Sequence, residues 1–63
     1  MSTETSRLLD NVDEALKSVT REMAKARQQK EGTREEAIHL GEARRKLELA
    51  VSIINAIPLY QPT

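Results

Sequence analysis

The sequence predicts an all-α protein, an antiparallel two-helix hairpin that assembles into a helical-bundle homo-oligomer. Three observations predict it: two apolar stripes at heptad spacing, a single turn signal between them, and an excess of apolar side chains at the end of the second stripe. The 63 residues allow one domain, so the hairpin is expected to fill the chain. Helix 1 is expected over about 4–30, the turn at 31–33, helix 2 over about 34–57, and a C-terminal tail at 58–63.

The first stripe runs Leu9, Val12, Leu16, Val19, Met23, Ala26, with Leu8 and Ala15 widening one flank. Good helix formers surround it, and neither Gly nor Pro occurs before Gly32. Its start is weakly marked, because Ser2, Thr3, Thr5 and Ser6 are all capping residue types. The end is assigned to Gly32, a residue suited to the left-handed position that closes a helix.

The second stripe, Leu40, Ala43, Leu47, Ala50, Ile54, Ile57, repeats the spacing of the first. Thr33-Arg34-Glu35-Glu36 before it fits a capping box, in which the Thr hydroxyl and the Glu carboxylate satisfy backbone donors of the first turn. Pro58 cannot continue a helix and restrains Ile57 before it. Helices of such length each span about 36 Å at 1.5 Å per residue. With so short a turn they must fold back on one another.

A chain this small buries only about 60% of the surface its unfolded form exposes. Disulfides or metals usually supplement such scaffolds, but the sequence has no cysteine. Self-association is the remaining route, and the apolar end of helix 2 points the same way. In LELAVSIINAIPLY the polar residues Glu48, Ser52 and Asn55 form one narrow strip. Leu49, Val51, Ile53, Ala56 and Leu59 fall outside the heptad seam and are the expected oligomer interface.

Ten basic residues balance ten acidic ones, so the bulk field that drives nonspecific nucleic-acid binding is missing. The one aromatic residue, Tyr60, offers no base-stacking platform. The balance is uneven along the chain. Residues 21–30 carry Arg21, Lys25, Arg27 and Lys30 against Glu22, and Arg34, Arg44, Arg45 and Lys46 join them in the turn half. Most such clusters are solvated faces, but guanidinium forks grip phosphate bidentately. Arg21, Lys25, Arg34, Arg44, Arg45 and Tyr60 are therefore the ligand-binding candidates, with a compact phosphorylated ligand favoured over a long polymer.

Catalysis has little support: one histidine, no Gly-rich phosphate loop, and serines without triad partners. No cofactor is expected and no catalytic residue is assigned. Glu36-Ala37-Ile38-His39 has the Glu-x-x-His spacing of bundle metal sites, yet it lies beside the turn. His39 is expected to be solvated or paired with Glu35 or Glu42. Gly41 sits inside helix 2, where it costs about 1 kcal/mol relative to Ala; it either admits a close neighbour or is a tolerated surface residue. No apolar run approaches the roughly 18 residues of a membrane span. The opening MSTETSRLLD lacks the basic-then-apolar order of a secretory signal, so a cytoplasmic protein without a membrane partner is expected.

The helix 2 residues Arg34-Glu35, Lys46-Leu47-Glu48, Ala50-Val51 and Ala56-Ile57 resemble the C-terminal helix of phage-encoded cyclic-oligonucleotide sponge (anti-CBASS) proteins. The resemblance implies a small all-helical oligomer in the host cytoplasm that sequesters a nucleotide signal without cleaving it. Ser52 and Ile53 stand where that family tends to carry Met or aromatic side chains, and no family binding residue is transferred. Two further functions fit a hairpin of this size. One is a helical inhibitor or adaptor that binds a host protein through the apolar face of helix 2. The other is a dimeric RNA-binding regulator, which the antiparallel build resembles.

Overall fold

In the computed structural model, which describes residues 3–60, the chain forms two helices, α1 (Thr3–Arg27) and α2 (Arg34–Asn55). They pack side by side as an antiparallel hairpin, an elongated body of 52 × 21 × 12 Å. No helix among the described residues is long and apolar enough to cross a membrane.

Helix α1 already includes Thr3, Thr5 and Ser6, while Ser2 lies outside the described residues, as does the tail beyond Tyr60. The helix ends at Arg27, earlier than the expected boundary near residue 30. There the amides of Gln28 and Gln29 bond back three residues, to the carbonyls of Lys25 and Ala26, at 3.1 Å each. This tightening is a common way for a helix to end. Gly32, with φ of 81°, therefore does not cap α1. It turns the chain into α2, and the connection runs over 28–33 rather than 31–33.

Helix α2 begins as expected. Thr33 is its N-cap, in extended conformation, and its hydroxyl accepts from the Glu36 amide at 3.3 Å. The same hydroxyl donates to the Lys30 carbonyl at 2.7 Å. The Glu36 carboxylate accepts from the Gly32 amide at 3.0 Å, one residue earlier than in the standard capping box. Glu36 is thus engaged with the turn. At the far end α2 stops at Asn55, and Ala56 and Ile57 form a closing turn before Pro58.

The seam differs from the expected stripes in half of its positions. The buried residues are Val12, Ala15, Ala26, Ala43 and Ala50, flanked by half-buried Leu8, Val19, Glu22, His39, Lys46, Ile53 and Ile57. Both helices keep heptad spacing but are rotated relative to the expectation. Val12, Val19, Ala26, Ala43, Ala50 and Ile57 belong to both patterns. Leu9, Leu16, Met23, Leu40, Leu47 and Ile54 do not, and all six are exposed. The physical reason is side-chain size. Axes approach to about 8 Å when the contact residues are small and stay near 10 Å when they are large. The alanine-rich sector lets the backbones come close, and a lone pair of helices covers only one sector of each. Ile53, assigned above to an oligomer interface, packs against Val12, Ala15 and Ala50 inside the hairpin.

A candidate ligand groove

In an antiparallel pair, flanks of the same hand on the two helices share one broad face. The hairpin therefore has two unlike faces. One carries the bulky stripe, Leu9, Leu16 and Met23 on α1 beside Ile54, Leu47 and Leu40 on α2, with Val51 and Arg44 on its rim. The other holds an open groove of about 450 Å³, lined by Asn11, Glu14, Ala15, Ser18 and Arg21 of α1 and Lys46, Leu49 and Ile53 of α2.

The groove is chemically mixed. Ala15, Leu49 and Ile53 supply apolar surface. Arg21 and Lys46 supply two cations, and among the described residues neither has an ion-pair partner. Asn11 and Ser18 both donate and accept hydrogen bonds, whereas Glu14 only accepts. Glu14 also lies 3.7 Å from Lys17, an exposed pair one turn apart. The Arg21 position lies toward the turn and those of Asn11 and Glu14 toward the free end. Arg21 to Asn11 spans about 15 Å along α1.

The other candidates do not converge with Arg21. Lys25 lies 3.8 Å from Glu22. Arg44 donates from Nε to Glu48 at 3.0 Å, and Arg45 reaches Glu42 at 3.4 Å. The two arginine pairs are exposed and worth little energetically, but they place the arginines on different sides of α2. Arg34 opens α2, and Tyr60, 90% exposed, follows the opposite end of that helix. The helix between them is about 32 Å long. Within one hairpin, then, only Arg21 of the expected set reaches the groove. Lys46 is the residue that the stripe reading missed. Its signal was the alternative heptad His39, Ala43, Lys46, Ala50, Ile53, which places a cation at the edge of the seam.

Of the residues expected at an oligomer interface, Leu49 faces the groove and Val51 the bulky face. Ala56 caps the end of α2, and Leu59 is exposed beyond Pro58.

A polar contact between the helices joins His39 to Glu22, not to Glu35 or Glu42. His39 Nδ1 lies 3.0 Å from Glu22 Oε2, and both side chains are largely covered. A carboxylate only accepts, so Nδ1 carries the proton. This hydrogen bond, helped by the nearby positive charge of Lys25, holds the Glu22 carboxyl below its ordinary range despite partial desolvation. Among the described residues no three His, Asp or Glu side chains gather into a metal-binding group. Glu36 and His39 are instead held by different partners, the Gly32 amide and the Glu22 carboxylate.

No family model matches this chain, and no curated protein or solved structure is significantly similar to it.

Proposed function

We propose that the protein is a non-enzymatic, homo-oligomeric binding protein that captures a small phosphorylated ligand, with a nucleotide as the ligand class. The observation that carries this reading is the groove, where two cations with no ion-pair partner among the described residues adjoin an apolar floor. A bare phosphate would use only Arg21 and Lys46. A nucleotide would also place its base on Ala15, Leu49 and Ile53. Base-edge amino groups would then have Glu14 and Asn11 as acceptors, which makes a carboxylate in an anion groove useful rather than repulsive. The helix 2 resemblance to cyclic-oligonucleotide sponges favours the same ligand class, and nothing in the groove resembles an acid/base pair or an activated nucleophile.

Calorimetric titration of the protein with inorganic phosphate, a mononucleotide and a set of cyclic oligonucleotides tests this reading. A nucleotide should bind more tightly than phosphate and be recovered intact after heat denaturation. Charged hydrogen bonds are worth about 1.5–3 kcal/mol, so Arg21→Ala and Lys46→Ala should each weaken binding by about 10- to 100-fold. A panel without any binder, or a ligand returned chemically altered, overturns the reading.

A further inference from the structure

We propose that the bulky face is covered by a second copy of the chain, giving an antiparallel four-helix bundle of two hairpins. The proposal rests on the self-association in the reading above and is independent of the ligand.

The face is built in layers. Val12 packs with Ala50, and Glu22 meets His39. That register sets Leu9 beside Ile54, Leu16 beside Leu47, and Met23 beside Leu40. The three layers are one heptad apart, about 10.5 Å along the axis, and every member is between 37% and 49% exposed. Because each layer joins one residue of α1 to one of α2, the face complements itself. A two-fold axis along the hairpin's length lays α1 of one copy over α2 of the other and brings every layer onto its own equivalent. Each layer then holds four large side chains, and layers such as Val12 with Ala50 and Val19 with Ala43 alternate between them.

This arrangement also accounts for the sequence pattern. In the lone hairpin only half of each 3-4 stripe is buried. In a bundle of four helices each helix faces the centre, and Leu9, Val12, Leu16, Val19, Met23 and Ala26 all turn inward together.

The occupant follows from the core of the single hairpin. Among the described residues it consists of one valine and four alanines, with no large side chain fully buried. A chain with so small a core needs this face covered in order to hold its fold. A second copy is present wherever the chain is, whereas a foreign partner is not. The groove lies on the opposite face, so the dimer would keep two grooves open on its outer surfaces.

Light scattering coupled to size exclusion, with thermal melting followed over a hundredfold range of concentration, reads the proposal directly. The wild-type protein should show twice its 7.1 kDa mass and melt at higher temperature as concentration rises. Leu16→Glu, which puts a carboxylate into the central layer, should weaken association by at least about 100-fold. Leu49→Glu, on the groove face, should leave the mass unchanged. Should Leu16→Glu simply unfold, the wild-type mass and its concentration dependence still decide the matter. A wild-type monomer overturns the proposal, including one that pairs only with a foreign protein. So does a dimer that Leu49→Glu dissolves and Leu16→Glu does not, although that result keeps self-association. A dimer that binds no nucleotide leaves this proposal standing and removes only the ligand reading.

Discussion

Ala50→Leu tests the small-residue seam at its tightest point. Ala50 is 2% exposed and packs against Val12, Ala15 and Ile53, so the three added carbon atoms have no space between helices held close by alanines. Overpacking of this kind costs about 1–3 kcal/mol. The whole stability of a chain this size is expected at only about 3–9 kcal/mol. At roughly 4–8 °C per kcal/mol for a small domain, the melting temperature should fall by about 5–20 °C. The assay is circular dichroism at 222 nm during heating, at one fixed concentration. Ala24→Leu, the same chemical change at an exposed site of α1, should shift the melt by no more than a few degrees. If Ala50→Leu melts at or above the wild type, the seam has room for a large side chain. The argument that alanines set the helix spacing then fails.

Three further outcomes are expected, each read by the same melts. The two glycines should respond oppositely to alanine. Gly41→Ala should stabilise by about 1 kcal/mol, since its Cβ would meet nothing within 4 Å inside a helix. Gly32→Ala should cost about 1 kcal/mol, because φ of 81° strains any L side chain; equal shifts would refute the assignment of the turn. Thr33→Ala removes the hydroxyl that links Lys30 to the Glu36 amide and should cost about 1 kcal/mol, with no loss meaning that the cap is dispensable. Glu22 has its carboxyl lowered in the folded state, first by the His39 hydrogen bond. Its contribution is therefore present above the unfolded value, about 4.3, and is lost as pH falls through the lowered one. Melts between pH 2 and pH 6 should show a shallower acid limb in Glu22→Gln than in wild type, and identical limbs would exclude the pair as a source of acid sensitivity.

The elements themselves were legible in the sequence, because their signals are local. The capping box fixed the start of α2 at Thr33, and Pro58 fixed its end to within two residues. Gly32 marked the turn, although it serves the entry into α2 rather than the exit from α1. Heptad spacing declared both helices amphipathic, and that pattern survives in the structure.

Two further matters were decided only by tertiary structure. The two helices carry two overlapping heptad patterns that share Val12, Val19, Ala26, Ala43, Ala50 and Ile57. One adds Leu9, Leu16, Met23, Leu40, Leu47 and Ile54, the other Leu8, Ala15, Glu22, His39, Lys46 and Ile53, and hydropathy alone prefers the first. The hairpin turns the second pattern inward and centres the contact on Val12, Ala15, Ala26, Ala43 and Ala50, whose small side chains let the two backbones approach closely. That choice also determined the site. It moved Lys46 to the edge of the seam, lining the same groove as Arg21, and it turned Leu9, Leu16, Met23, Leu40, Leu47 and Ile54 outward. Sequence fixes which residues share a flank of one helix, since that depends only on the helical repeat. Which flanks meet depends on distances between residues some thirty positions apart, and no local propensity encodes them.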